Sequence, residues 1–394
     1  MKPTFAKAFV LITIILIDLL TGMEFDLFVP SFPELQSHFN LSAFWVEASL
    51  SVNFAGYCLS LFFVGGLADR YGRKLIILLG LIAFAVGSIL CLWAASYYFF
   101  LAGRFLQGIG IAAPAILSFL IIADSYPLQK QQFFMAFLNG AKNISVAVAP
   151  VIGSYVTLYY HWQGNFTVLL LLGLITLAMT MLFIPAYKMP AQKQSLSLRG
   201  YIPLLQSKPL MLLIVNIVLI FVPYWIFVGM SPLLYMDNLG VSLAHFGYYQ
   251  GVLALVFALG SIAFGLMISK YDQKKMLSIS NQILIIALIC IAFVTFLNIA
   301  NTLVITMVFL IFIVGQIIPS TILYPLSLNL IPEAKGRVSA IIQGASFIFS
   351  ALSLQLAGYF YQGTFQSIGI IIISFILIAV ITSFFVIKNR ELIN

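Results

Sequence analysis

The chain has 394 residues, of which 62% are hydrophobic and only 8% charged, with a formal net charge of +8 and a mean hydropathy of +1.11. So little charge excludes a soluble globular domain, and the positive balance marks the position of loops rather than a nucleic-acid partner. Cys58, Cys91 and Cys290 all lie in apolar stretches, His38, His161 and His245 are scattered, and no GxxxxGK[ST] loop is present, which excludes a disulfide framework, a metal site and an ATP motor.

Apolar segments long enough to cross a bilayer follow one another along the chain. They predict twelve spans, near 8–30, 44–66, 75–94, 98–122, 133–157, 165–186, 209–235, 246–269, 276–297, 301–329, 338–360 and 364–387. The N-terminus looks superficially like a signal peptide. Its apolar part runs too far, contains acids and lacks a small-residue cleavage site, so it reads as a retained first span.

The cations set the orientation. Lys2 and Lys7 precede the first span. Arg70, Arg73 and Lys74 follow the second, Lys130 the fourth, and Lys188, Lys193, Arg199 and Lys208 the sixth. Lys270, Lys274 and Lys275 follow the eighth, Lys335 and Arg337 the tenth, and Lys388 and Arg390 the twelfth. All lie on one side of a twelve-span arrangement, and the opposite loops contain no Lys or Arg. The expectation is a multi-pass protein of the plasma (inner) membrane, both termini cytoplasmic, embedded in lipid as a monomer.

The polar stretch 187–208 predicts a cytoplasmic linker between an N-terminal six-helix bundle, 1–186, and a C-terminal one, 209–394. The halves are weakly alike. Gly65, Arg70, Tyr71 and Lys74 have counterparts in Gly265, Lys270, Tyr271 and Lys274, with Ser269 in place of Asp69. That is the repeat expected of two bundles related by an axis along the membrane normal, with a substrate site between them near the midplane.

Charges inside spans are expensive and mark function by default. They are Asp18, Glu24 and Asp26 in the first span, Arg104 in the fourth and Lys142 in the fifth; the C-terminal half has no clearly intramembrane charge. Counting from Lys7, Asp18 lies near the midplane and Asp26 roughly 28 Å in. On a continuous helix Asp18 and Asp26 are about 80° apart, so both reach one cavity, whereas Glu24 is about 200° from Asp26 and faces elsewhere. Arg104 is expected near the level of Asp26, and Lys142 near that of Asp18. Glu47 and Asp237, at span ends, read as rim residues. A carboxyl in an apolar cavity loads and releases a proton near neutral pH, because desolvation disfavours its charged form. Asp26, Asp18 and Arg104 are therefore the proton-coupling candidates. Asp18, Asp26, Arg104 and Lys142, with Tyr224, Trp225, Phe227 and Tyr235 as an apolar wall, are the substrate-binding candidates.

The loop Gly65-Gly66-Leu67-Ala68-Asp69-Arg70-Tyr71-Gly72-Arg73-Lys74 resembles the loop signature of the major facilitator superfamily of secondary transporters. Arg104, Gln107, Gly108 and Gly110 resemble that family's fourth-helix signature, whose Arg is associated with proton transfer. Ala149, Pro150 and Gly153 resemble its fifth-helix antiporter signature, with Ala149 and Ser154 where the family has Gly. Asp26, Pro30 and Pro33, and the stretch from Ser231 and Pro232 to Tyr235 and on to Gly240, resemble Bcr/CflA-type drug-resistance transporters.

The resemblance implies an all-α fold of two six-helix bundles and drug export in exchange for protons by alternating access, with no cofactor beyond the proton gradient. It implies that Gly65, Asp69, Arg70, Gly72, Arg73 and Lys74 form a gating loop, in which Asp69 latches to Arg70 and Arg73, and that Gly108, Ala149, Pro150 and Gly153 pack helices. Lys142 lies outside the pattern. It keeps open a proton-coupled transporter of an anionic or zwitterionic metabolite such as a siderophore or polycarboxylate. A membrane enzyme is disfavoured, since no nucleophile or ligand cluster is evident.

Overall fold

The computed structural model describes residues 3–125, 128–186, 198–389 and 392, which form helices joined by short turns, with no strand among them. The long helices are α1 (Pro3–Met23), α3 (Ala43–Tyr71), α4 (Arg73–Leu92), α5 (Tyr97–Ser125), α6 (Leu128–Phe183), α8 (Lys208–Pro232), α9 (Leu243–Met267), α10 (Gln273–Phe296), α11 (Thr302–Leu330), α12 (Lys335–Phe360) and α13 (Phe365–Lys388). Two short helices, α2 (Phe32–Phe39) and α7 (Ile202–Gln206), complete the set. Among the described residues ten helices are long and apolar enough to cross a membrane, and Ala8–Met23 is a shorter apolar one.

Helix α6 has 56 residues. At about 1.5 Å per residue that is far longer than a ~30 Å hydrocarbon core, so it must turn back. It does so at His161, whose φ of 59° and ψ of −177° interrupt the helix. The two arms correspond to the spans predicted at 133–157 and 165–186, and with α1 the total reaches twelve. Gly72, at φ 92°, makes the equally short joint between α3 and α4; a side chain there would be strained. The starts of α10 and α11 are capped by side chains. Asp272 accepts from the amides of Lys274 and Lys275, and Asn301 from those of Leu303 and Val304.

The first span departs from its predicted 8–30. Helix α1 stops at Met23, and a turn, a 3-10 segment (Val29–Ser31) and α2 follow, closed by Asn40 at φ 53°. Pro30 and Pro33 keep an α-helix from running through residue 30, since each removes an amide donor and disfavours helix in the residue before it; they lie too far along to set the stop at Met23. In α8, Pro223 and Pro232 lie within the helix, which continues as a π-turn over Leu233–Asn238.

The chain divides into two compact units. The N-terminal unit comprises 1–40 and 48–196, the C-terminal unit 41–47 and 197–394, so the first turn of α3 belongs to the second. Of the linker expected at 187–208, residues 187–197 lie outside the described residues. Arg104, Phe28, Phe100, Trp162 and Phe166 are buried in the first unit, Phe227, Tyr235, Phe246 and Phe309 in the second.

Candidate functional site

The N-terminal unit buries a polar network around Arg104, which is completely inaccessible to solvent. The turn after α1 supplies Glu24, α3 supplies Asn53 and the Ser49 carbonyl, α4 supplies Ser88, and α5 supplies Arg104 and Gln107. Arg104 Nη1 donates to Glu24 Oε1 at 3.1 Å and to Gln107 Oε1 at 2.6 Å. Its Nε donates to the Ser49 carbonyl at 3.3 Å. Asn53 Nδ2 donates to Glu24 Oε1 at 2.7 Å and to the Arg104 carbonyl at 3.0 Å. Gln107 Nε2 donates to Ser88 Oγ at 2.8 Å. The guanidinium lies 4.1 Å from the centre of the Phe28 ring. Arg104 Nη2 and Glu24 Oε2 have no hydrogen-bond partner.

Glu24 therefore faces the site, contrary to the angular count. That count assumed a helix through residue 26. Because α1 ends at Met23, the turn is free to aim Glu24 at Arg104. A buried charge needs a partner with good geometry, and Glu24 is the partner present.

Asp26, two residues on, is 3% exposed. It makes no hydrogen bond or ion pair among the described residues, and the charged group acting on it is the like-signed Glu24. Arg104 and Asp26 are not paired. Asp18, on α1, lies elsewhere: its Oδ1 accepts from Ser118 on α5 at 3.2 Å, its Oδ2 has no partner, and the charge it feels is that of Lys142 on α6. Lys142 in turn feels Asp18. The spans of this unit thus hold three acids and two cations, with Asp26 the acid left over.

The aromatic candidates separate into two groups. Phe227 stacks on Phe309 with centroids 3.9 Å apart and meets Tyr235 edge-on at 5.9 Å. Tyr235 shares a hydrogen bond with Thr306 Oγ1 at 2.8 Å. Both rings are fully buried in the core of the C-terminal unit. Tyr224 and Trp225 form a separate group with Phe221 and Phe347.

In the loop, Lys74 Nζ donates to the Met181 carbonyl at 2.8 Å, and Arg73 Nη1 donates to the Leu120 carbonyl. Both acceptors lie toward the C-terminal ends of their helices, where cations are favoured. Arg70 lies 5.1 Å from the Tyr71 ring centre. Asp69 makes no ion pair among the described residues, and a Cβ on Gly65 would meet nothing within 4 Å. Gly108 and Gly153 do sit against other backbones. A Cβ on Gly108 would run into the Asn53 carbonyl and come within 2.9 Å of the Tyr57 nitrogen; one on Gly153 would strike the Leu27 carbonyl. Ala149 and Pro150 are buried beside Gly153 on α6.

Glu47, read as a rim residue, lies in the first turn of α3. It is completely buried, and neither carboxyl oxygen has a hydrogen-bond partner. Its place near the end of an apolar run gave no hint of this, because the covering residues come from α8 and α12, far along the chain.

A family model described as Major Facilitator Superfamily matches residues 14–354. The multidrug resistance protein MdtL of Salmonella heidelberg (strain SL476) is 27% identical over 290 residues, 71% of each chain. MdtL of Escherichia coli (strain K12 / DH10B) is 28% identical over 267 residues, 66% of this chain and 67% of its own. Two solved structures share the fold. A bacterial homologue of the human lysosomal transporter Spinster aligns with a TM-score of 0.78 at 16% identity, covering 98% of this chain and 97% of its own. A D-xylose–proton symporter aligns at 0.75 and 14%, covering 94% and 96%.

Proposed function

The chain belongs to the Major Facilitator Superfamily, and from that premise we propose a proton-coupled secondary transporter that exports drugs or other lipophilic compounds in exchange for protons by alternating access. The observation behind this reading is Asp26: a buried carboxyl without a cation, two residues from an acid that already has one. Arg104 neutralises Glu24, Lys142 balances Asp18, and Asp26 is neutral only when something positive joins it. A proton does that, and so does a cationic substrate; both together leave an excess positive charge in a dry site. Mutual exclusion of this kind is antiport, since only the two singly occupied states are electrically cheap. The similarity to proteins named for multidrug resistance supports drugs as the substrate class. The setting we propose is the inner membrane, with both termini in the cytoplasm and the protein acting as a monomer.

Lys142 is the one observation that favours a second substrate class, an anionic metabolite, and it does so only if Asp18 releases it.

The test is purified protein in proteoliposomes under an imposed pH gradient, with internal pH read while lipophilic cations and, separately, polycarboxylates are added. Proton movement opposite to the lipophilic cation, abolished in Asp26→Asn, is the expected result. Proton movement with polycarboxylates alone, lost in Lys142→Gln, would transfer the assignment to the metabolite.

A further inference from the structure

The C-terminal unit contains a carboxyl for which the reading above has no use. Glu47 lies in the first turn of α3, inside the segment Leu41–Glu47 that belongs to this unit. Its carboxyl sits directly against Gly229 of α8. A Cβ on Gly229 would collide with Glu47 Oε2, would lie 3.3 Å from Glu47 Cδ, and would meet Leu354 of α12 at 2.5 Å. The seat exists because residue 229 has no side chain.

Among the described residues no Lys or Arg acts on Glu47. On α8 no Lys or Arg follows Lys208, and on α12 none follows Arg337, so each helix carries its cations only at its start. On α3 itself the charges Asp69 and Arg70 are at the opposite end, about 33 Å away for a straight helix. Arg104 bonds the Ser49 carbonyl, and Ser49 is about 200° around α3 from Glu47, on the opposite face. The titratable group that feels Glu47 is Tyr361, just past α12, whose hydroxyl donates to Asn238 Oδ1 at 2.6 Å and which feels a second acid, Asp237 of the π-turn after α8. Neither compensates a carboxylate. An ionised carboxyl, stripped of water, unbonded at both oxygens and without a cation acting on it, does not persist, and the group takes up a proton instead.

We propose that Glu47 is a second proton-binding carboxyl of the transport cycle, protonated while seated against Gly229 and deprotonated when the first turn of α3 leaves that seat. The proposal rests on the proton-coupled reading. On leaving, the O–H bond breaks, the proton passes to the water that reaches the carboxyl, and the electron pair stays on the carboxylate. Reseating takes a proton back. Glu47 is thus loaded and unloaded by hydration, whereas Asp26 is loaded in competition with substrate.

The test has two readouts on full-length protein, in wild type and in Glu47→Gln, Glu47→Asp and Asp26→Asn. The first is the carbonyl stretch of protonated carboxyls in the infrared spectrum near neutral pH. The second is the number of protons moved per lipophilic cation in proteoliposomes. Glu47→Gln preserves the neutral shape of the seat. It is expected to remove a protonated-carboxyl band that Asp26→Asn retains, and to lower the proton count by half. Glu47→Asp is expected to restore both. An unchanged band or an unchanged proton count in Glu47→Gln overturns the proposal, because Glu47 is then either ionised or a bystander. Absence of any proton movement in wild type would instead sink the transport reading itself, a result distinct from the other two.

Discussion

Arg104 is bound by two neutral oxygens, from Gln107 and Ser49, and by one carboxylate, Glu24. Removing that carboxylate's charge while keeping its shape leaves the guanidinium buried and unpaired, a change that costs about 3–5 kcal/mol where a buried pair is broken. Glu24→Gln is therefore expected to lower the thermal unfolding midpoint of the purified protein sharply and to abolish transport. Glu24→Gln combined with Arg104→Gln should recover most of the stability and none of the transport, since the stranded charge is then gone; a double variant no more stable than the single would contradict the pairing. At this scale the sequence showed which residues were costly and not which were partners. Glu24, Asp26 and Arg104 stand out as charges in apolar runs. The pairing depends on where α1 ends, at Met23, and a helix run on to residue 30 aims Glu24 elsewhere. Glu47 was hidden for a related reason, because its burial comes from α8 and α12 rather than from its own neighbours.

Between helices, glycine positions that look alike in sequence differ in what they hold. Gly108 brings α5 onto α3 so closely that an added methyl meets the Asn53 carbonyl and the Tyr57 nitrogen. Overpacking of this sort costs about 1–3 kcal/mol. Gly65, the first residue of the family loop, has open space at the same place, and Ala in a helix interior is favoured over Gly by about 0.5–1 kcal/mol. Gly108→Ala should therefore lower the unfolding midpoint, and Gly65→Ala should leave it unchanged or raise it slightly, as read by thermal melts in detergent; equal losses would mean Gly65 packs as tightly as Gly108. The spans themselves were plainly legible, because twenty apolar residues in a row have few other fates. The break between the fifth and sixth spans was legible as the gap 158–164; that it narrows to one non-helical residue, His161, was not, since histidine carries no turn signal.

For the whole molecule, orientation is the property most open to test. Lysines and arginines gather on one side of the twelve-span arrangement, so the positive-inside rule predicts that a cysteine placed at Asn298 reacts with an impermeant maleimide in intact cells. A cysteine at Lys275 should react only after permeabilisation, and the reverse pattern would invert the topology. The same charge distribution has an electrical consequence. Membrane voltage does work only on charge that moves through it, about 2.3 kcal/mol per elementary charge per 100 mV. Between their ends, α8 to α13 contain no Asp, Glu, Lys or Arg, so these helices change position without feeling the field. The voltage acts on the acids and cations of the other spans and on Glu47 whenever it is ionised. With Arg104 balanced by Glu24 and Lys142 by Asp18, a carrier whose Asp26 and Glu47 are both neutralised would complete its return without moving net charge, and one with either left as a bare carboxylate would not.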